Sequence, residues 1–130
     1  MNLVTDTHAL IWHLSGSRKH LSVRARRAFE HAEAGRWTIH VPAVVLVEMV
    51  LLEERGRLRF SYAQLREQLG LRGGLPIQPL LPEDVDEARS LGALRDPFDR
   101  LIAGTALRLG LPLLSDDEVI REIGRPPVYW

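Results

Sequence analysis

The chain has 130 residues, of which 45% are hydrophobic and 26% charged. This length and composition suit one compact domain that buries its own core. The absence of cysteine excludes disulfides and thiolate zinc sites. The longest apolar stretches, residues 41–52 and 101–109, are shorter than the roughly 20 apolar residues that span a bilayer, and no basic region precedes the apolar N-terminus. We therefore expect a single domain over residues 1–130, in the cytoplasm and with no membrane partner.

The net charge is zero, but the basic residues are unevenly distributed. Sixteen of the 17 are arginine, which suits bidentate contacts with phosphate. If a metal ion binds four of the 17 acids, 13 acids remain against 17 basic residues. The clustered basic residues form two groups, Arg18, Lys19, Arg24, Arg26 and Arg27, and then Arg55, Arg57 and Arg59. An ordinary solvated helix face is the leading explanation for such groups, and phosphate binding is the alternative.

Strands and helices alternate in the first third of the chain. Residues 2–6 predict a short buried strand and residues 7–14 a helix. Ser22 is a typical helix N-cap, and the helix that it begins ends at Gly35. Residues 37–41 are rich in β-forming side chains and predict a second strand.

Proline, serine and glycine mark the boundaries of the elements that follow. Pro42 is expected in the first turn of a helix that runs to Arg55. Ser61 begins a short helix that ends near Gly70, and residues 77–80 predict an extended segment. The remaining predicted elements are a helix from Pro82 with Glu83 and Asp84 favourably placed in its first turn, a helix over 96–110, a strand over 112–115, a helix over 117–123 and an edge strand over 127–130.

This alternation predicts an α/β fold with a parallel sheet that is covered by helices on both faces. Right-handed crossovers gather the carboxyl ends of the strands along one edge of such a sheet. Functional sites of these folds form at that edge. Asp6 and residues 115–117 directly follow predicted strands. We therefore expect a functional site that includes them.

Glu48 is the acid that is hardest to explain by stability alone. Its helical neighbours at positions 44, 45, 51 and 52 are all apolar, so its carboxylate emerges from the buried stripe of the helix. An unpaired charge is very costly there. Glu48 must therefore be protonated, paired with an arginine or bound to a cation. A buried pair with an arginine is the structural alternative to a site.

Asp6, Asp96 and Asp99 each lie at the beginning of a predicted helix. A role in a functional site and a role as a helix cap explain the position of Asp6 equally well, because Thr7 could supply the cap instead. Asp99 lies one turn into the helix that Asp96 begins, and a simple partnership with the helix dipole is the leading explanation for Asp96. Small residues at 103, 104 and 106 allow this helix to approach another backbone closely. We expect that packing to bring Asp99 towards the edge of the sheet.

Asp116 and Asp117 follow the predicted strand at Ser115. Adjacent acids repel, so we expect a cap or a bound ion that stabilises the pair. Asp117 is the more natural ligand if Ser115 and Asp116 form the turn.

Together these acids predict a metal site. Four carboxylates about 6 Å apart repel by roughly 3 kcal/mol for each pair at an effective dielectric constant of 20. A divalent cation removes that penalty, and oxygen ligands favour Mg²⁺ or Mn²⁺ over zinc. The five histidines show no metal-ligand spacing, except that His8 lies near Asp6, and we expect them to be structural or exposed. The predicted catalytic residues are Asp6, Glu48, Asp99 and Asp117, with Ser115, Asp116 and Asp96 in supporting positions.

At these residues the chain resembles the PIN-domain proteins, specifically the VapC toxins of toxin–antitoxin pairs. The matching segments extend over nearly the whole chain: residues 6–12 (DTHALIW), Glu48 within its apolar helix, residues 96–103 (DPFDRLIA) and residues 114–117 (LSDD). The resemblance implies a three-layer α/β/α sandwich with a mainly parallel sheet. It further implies Mg²⁺- or Mn²⁺-dependent hydrolysis of RNA, a homodimer, and inhibition by a VapB-like antitoxin.

The resemblance also implies roles for individual residues. The acidic quartet of the family corresponds to Asp6, Glu48, Asp99 and Asp117, and Ser115 corresponds to its usual Ser or Thr. Three of the acids, Asp6, Asp99 and Asp117, are expected to hold the metal, while Glu48 completes the shell or orients the attacking water. Asp116 departs from the family pattern, which commonly has a small residue there. This departure leaves open whether Asp116 or Asp117 faces the metal.

Other classes of protein fit the sequence less well. A phosphatase with an aspartate nucleophile needs an acid two positions after Asp6, where His8 stands, and a receiver domain needs a late lysine, whereas Lys19 is the only lysine. No histidine pair suits a 2′-OH mechanism. Two alternatives stay open: a PIN-type nuclease of RNA processing without an antitoxin, and a non-catalytic interaction module with a decayed site. Retention of acids at all four positions disfavours decay.

Overall fold

Five short strands form one parallel sheet in the computed structural model, which describes all residues 1–130. The strands are β1 (Asn2–Thr5), β2 (Thr38–Pro42), β3 (Ile77–Gln78), β4 (Leu113–Leu114) and β5 (Val128–Tyr129). Their order in the sheet is β3-β2-β1-β4-β5, and every neighbouring pair is parallel. The predicted α/β class and parallel sheet are confirmed, and β5 lies at an edge as expected.

Seven α-helices flank the sheet. They are α1 (Thr7–Leu14), α2 (Val23–Glu33), α3 (Ala43–Glu54), α4 (Tyr62–Gly70), α5 (Pro82–Ala88), α6 (Pro97–Leu109) and α7 (Glu118–Ile123), with a short 3-10 helix at Arg18–His20. No helix has both the length and the apolar character needed to cross a membrane.

The helix boundaries follow the capping residues of the sequence. The Ser22 hydroxyl accepts the Ala25 N–H at 3.0 Å at the start of α2. Ser61 and Gln64 form a reciprocal capping box at the start of α4. Pro42 lies one residue outside the predicted position, because it is both the last residue of β2 and the N-cap of α3.

Three predicted strands are two residues longer than the observed ones. The segments 77–80, 112–115 and 127–130 pair over only Ile77–Gln78, Leu113–Leu114 and Val128–Tyr129. Pro79 and Pro112 have no N–H to donate to a neighbouring strand, which limits the ladder at those positions.

A single cluster of 26 buried residues forms the core. The central strands contribute Leu3, Val4 and Ile39, all with no exposed surface. Val45 and Met49 of α3 are also fully buried, which fixes one face of the helix that carries Glu48.

Helix α6 packs so closely against α5 that the backbones of the two helices are in contact at Gly104. A Cβ atom at Gly104 would lie 2.4 Å from the Asp84 carbonyl oxygen, so only glycine fits. The close approach to another backbone predicted from the small residues is therefore confirmed, with α5 as the partner, and Asp99 at the start of α6 lies near the carboxyl edge of the sheet as expected. The packing also encloses the Asp84 side chain, which is fully buried and forms an ion pair with Arg108. The prediction of Asp84 as a dipole partner was thus incomplete.

Candidate active site

An open cleft of about 400 Å³ lies at the carboxyl ends of β1 and β4. Acids and arginines dominate its walls. The lining residues are Asp6, Thr7, His8, Trp12, Glu48, Leu52, Arg55, Arg57, Asp96, Asp99, Asp116 and Asp117. The cleft therefore brings together the four acids predicted as catalytic and two of the three predicted supporting residues; the third, Ser115, is buried beside it.

Asp6 leaves the end of β1 and is the N-cap of α1. One of its carboxylate oxygens, Oδ1, accepts the Ala9 N–H at 2.9 Å. Burial raises the pKa of the Asp6 carboxyl to about 6, although hydrogen bonds from Ser115 and from the Ala9 N–H oppose the rise. The Asp117 carboxylate contributes to the rise through like-charge repulsion. Asp6 is thus both a cap, as one alternative proposed, and a member of the acidic cleft.

Glu48 projects from α3 into the cleft without an arginine partner. Its Oε1 atom accepts a hydrogen bond from the hydroxyl of Thr7, which is buried. The alternative of a buried Glu–Arg pair is therefore wrong for this residue. Thr7, the first residue of α1, instead holds the Glu48 carboxylate by this hydrogen bond. The two residues are 41 positions apart, so the contact was not predictable from spacing.

The pKa of Asp99 is raised by burial and by repulsion from four other carboxylates of the cleft. Burial raises its pKa to about 7, and repulsion from Asp96, Asp117, Glu48 and Asp6 adds to the rise. Asp96 is the N-cap of α6, where its Oδ1 atom accepts the Phe98 N–H at 2.8 Å and the Asp99 N–H at 3.1 Å. Asp96 thus shapes the helix terminus and also adds negative charge to the cleft.

Asp116 and Asp117 take different positions at the end of β4. Asp117 is the N-cap of α7: its Oδ1 atom accepts the Val119 N–H at 2.8 Å, and its own N–H donates to the Ser115 hydroxyl at 3.1 Å. Asp116 is exposed, and its carboxylate lies 4.0 Å from the Arg121 guanidinium. Asp117 is half-buried and contributes to the raised pKa of both Asp6 and Asp99, whereas Asp116 is exposed, so Asp117 is favoured as the acid that faces the cluster.

The four predicted catalytic acids make no ion pair. The ion pairs of the chain involve Asp84, Asp116 and the glutamates at 30, 33 and 87. Mutually repelling carboxylates without a countercharge are the arrangement that a divalent cation stabilises. The role of these residues in catalysis stays a prediction, but none of them forms an ion pair with a basic side chain.

The carboxylates of the four predicted catalytic acids offer only oxygen donors, which are the ligands that suit Mg²⁺ or Mn²⁺. As they stand, the side chains do not form a group of three or more that could hold an ion. One oxygen of Asp6 and of Asp117 is committed to a helix N-terminus, and one oxygen of Glu48 to Thr7. Rotations of the side chains are therefore required before these carboxylates converge on one ion.

A family model describes the chain over most of its length. The model of the PIN domain matches residues 3–126. The chain belongs to the PIN domain family.

This PIN domain has relatives that align over nearly their full length. Ribonuclease VapC22 of Mycobacterium tuberculosis is 28% identical over 132 residues, which cover 98% of each protein. Among solved structures, VapBC2 from Rickettsia felis bound to a DNA fragment from its promoter has a TM-score of 0.71 at 17% identity, covering 99% of this chain and 98% of that one. The sarcin–ricin loop cleaving toxin VapC20 of Mycobacterium tuberculosis has a TM-score of 0.63 at 14% identity, covering 98% of each chain. These neighbours share the fold, and the α/β/α sandwich expected from the resemblance is confirmed.

The PIN-domain cleft also has a basic rim that the sequence only suggested. Arg55 caps the C-terminal end of α3, and Arg57 follows at the turn that Gly56 makes with a φ of +68°. Both arginines line the cleft and neither forms an ion pair. Arg59, the third member of this basic group, is not part of the cleft and lies over the Phe60 ring. Only two of the three clustered arginines are therefore placed to contact a ligand of the acidic site.

Proposed function

We propose that this PIN domain is an Mg²⁺- or Mn²⁺-dependent endoribonuclease that acts as the toxin of a toxin–antitoxin pair. The observation that carries the proposal is the cleft of six carboxylates, four of them half-buried and in no ion pair, which also contains two arginines that form no ion pair. Membership of the PIN domain family and the similarity to a protein named Ribonuclease VapC22 support the same activity.

Asp6, Asp99 and Asp117 are the residues that would hold the metal ion. When bound, the ion supplies polarisation of a phosphate oxygen, a more acidic water and stabilisation of the leaving oxygen. The raised pKa values of Asp6 and Asp99 reflect the cost of ionising carboxyls in this cleft, which a cation offsets. Glu48, held by Thr7, would complete the shell or orient the water that attacks phosphorus.

Arg55 and Arg57 would contact the RNA backbone at the rim. Guanidinium groups make bidentate hydrogen bonds with phosphate oxygens, and a free arginine loses no protein partner when it does so. Opposite charges on the two sides of the cleft would then orient the strand. The acids exclude phosphate from the metal position unless an ion is present, while the arginines hold the neighbouring phosphates.

The partners proposed are a VapB-like antitoxin and a second copy of the chain. Two of the solved neighbours are a VapBC2 complex and a toxin–antitoxin complex from Klebsiella pneumoniae, the latter with a TM-score of 0.65 at 19% identity and covering 98% of this chain and 96% of that one. An antitoxin tail that enters the acidic cleft, either with an arginine or by blocking the metal position, would inhibit cleavage.

The activity is tested with purified protein and a labelled, unstructured RNA. We expect cleavage in Mg²⁺ or Mn²⁺, loss of cleavage in EDTA, and recovery when excess Mn²⁺ is added back. Asp86→Asn is the control for amide substitutions of the cleft acids, because Asp86 is exposed and lies outside the cleft. Undiminished cleavage in EDTA would eliminate the metal mechanism, and no cleavage under any metal condition would contradict the nuclease assignment.

A further inference from the structure

Four aromatic rings gather at one end of the acidic cleft. We call His8, Trp12, His20 and Trp130 the aromatic cluster. The Trp12 indole stacks on the His20 ring with centroids 5.2 Å apart and planes inclined by 25°. The Trp130 ring packs edge-on against Trp12 with centroids 6.2 Å apart. The centroid of the His8 ring lies 6.0 Å from that of Trp12. The cluster is therefore organised around the Trp12 indole.

Two members of the aromatic cluster belong to the cleft itself. His8 and Trp12 stand four residues apart on α1, which places them on the same face of that helix. Both line the cleft together with Asp6 and Asp99. His8 is exposed and Trp12 is half-buried. His20 and Trp130 come from the 3-10 helix and from the residue after β5, and their contacts fix the position of the indole.

Aromatic rings beside a phosphate-binding cleft have a specific use. Proteins that bind single-stranded RNA stack unpaired bases on Trp, Tyr, Phe or His side chains while basic groups contact the backbone. This cleft has both components, since Arg55 and Arg57 line it together with His8 and Trp12. An aromatic group that served only to close the core would have no reason to include the exposed rings of His8 and His20.

We infer that the aromatic cluster binds an unpaired nucleobase of the RNA strand, stacked against Trp12 and His8, next to the phosphate that enters the acidic cleft. This inference rests on the proposed nuclease function and extends it to how the strand is positioned. Trp12 and His8 are then substrate-binding residues, and His20 and Trp130 are positioning residues that act through Trp12.

The test compares two strands that differ only in their bases. Fluorescein-labelled hexauridylate and an abasic ribose-phosphate hexamer are titrated into the Glu48→Gln protein with Mn²⁺, and binding is followed by anisotropy. Glu48→Gln leaves the three proposed metal-holding acids in place and is expected to slow cleavage during the measurement. Stacking predicts that hexauridylate binds about 5- to 100-fold more tightly than the abasic strand.

Substitutions in the same background separate stacking from a structural role. Trp12→Ala should remove most of the preference for hexauridylate and leave the affinity for the abasic strand within about twofold, while Trp12→Phe should restore the preference. His8→Ala should weaken hexauridylate binding and His8→Phe should rescue it, and His8 is exposed, so these variants fold even if Trp12→Ala does not. Trp37→Phe is the control, because Trp37 lies outside the cleft against His31 and Tyr129.

Three results would overturn the inference. Equal binding of the two strands, while the wild-type protein cuts RNA in Mn²⁺, would refute base stacking and leave the nuclease function intact. Equal losses for both strands in Trp12→Ala and in His8→Ala would show a structural role. If neither strand binds and the wild-type protein cuts no RNA, the proposed function fails together with the inference.

Discussion

Replacing Asp6 with asparagine should stabilise the metal-free protein. Asparagine keeps the Oδ1 acceptor for the Ala9 N–H and is as good an N-cap as aspartate, so the helix cap is retained. What the substitution removes is the ionised carboxylate. The rise of the Asp6 pKa from 3.8 to about 6 corresponds to about 3 kcal/mol of destabilisation once the group is ionised in both states. Allowing for solvent screening and relaxation, we expect Asp6→Asn to raise the free energy of unfolding in EDTA at pH 8 by about 1–2 kcal/mol.

The pH dependence gives the sign of this effect an independent check. Because the pKa of Asp6 is raised in the folded state, its stabilising contribution is fully present below pH 3.8 and is lost as pH rises through about 6. The advantage of Asp6→Asn should therefore be complete at pH 8 and fall to about one third at pH 4.5. Added Mn²⁺ should reverse the order, because it stabilises only the protein that binds it.

Urea unfolding measures the stability gain in EDTA at pH 8 and its decrease at pH 4.5. The same measurement at pH 8 with Mn²⁺ tests the reversed order. Asp86→Asn is the control: it removes an exposed carboxylate without an ion pair and should change stability by less than about 0.5 kcal/mol. The reasoning is refuted if Asp6→Asn unfolds more easily in EDTA at pH 8, or if its effect does not change with pH. Either result would show that the Asp6 charge is compensated within the fold.

Three other predictions concern the rim, the scaffold and the partner. Arg55→Gln and Arg57→Gln should each weaken RNA binding and lower the slope of log Kd against log salt by about 0.7, whereas Arg59→Gln should not; equal slopes for all three would place the RNA elsewhere. Arg108→Met should destabilise the fold by about 3–5 kcal/mol, because it leaves the buried Asp84 charge unpaired, and should spare cleavage at low temperature; a small loss in thermal melts would contradict the ion pair as placed. Expression of the wild-type chain should arrest growth, and co-expression of the adjacent upstream gene should rescue it and yield a copurifying complex; harmless expression without any partner would refute the toxin role alone.

The parts of the fold that were predictable from sequence depend on local chemistry. Ser22 and Ser61 begin helices where their hydroxyls accept N–H groups three residues on, and Gly110 ends α6 in the left-handed conformation. Such caps involve neighbours in sequence and can be recognised from residue type. The strand ends at 79 and 112 were predicted less well, because strand length depends on hydrogen bonds to a neighbouring strand that the sequence does not identify.

Two of the predicted acids, Asp6 and Asp117, could be placed together from the sheet topology alone. Asp6 and Asp117 follow adjacent parallel strands, so the carboxyl edge of the sheet places both in one cleft. Contacts made by distant side chains could not be predicted in the same way. The pairing of Asp84 with Arg108 requires the α5–α6 contact at Gly104, and the contact of Thr7 with Glu48 requires the relative placement of α1 and α3.

Glu48→Gln gives the most direct test of the central claim that the acidic cleft is a catalytic site and not part of the scaffold. Glutamine can still accept the hydrogen bond from the Thr7 hydroxyl, so the packing around α3 is preserved. Thermal melts in EDTA should show a stability equal to or above that of the wild type, while RNA cleavage in Mn²⁺ should fall by at least about 100-fold. A Glu48→Gln protein that melts far below the wild type and cuts RNA at the normal rate would contradict the account.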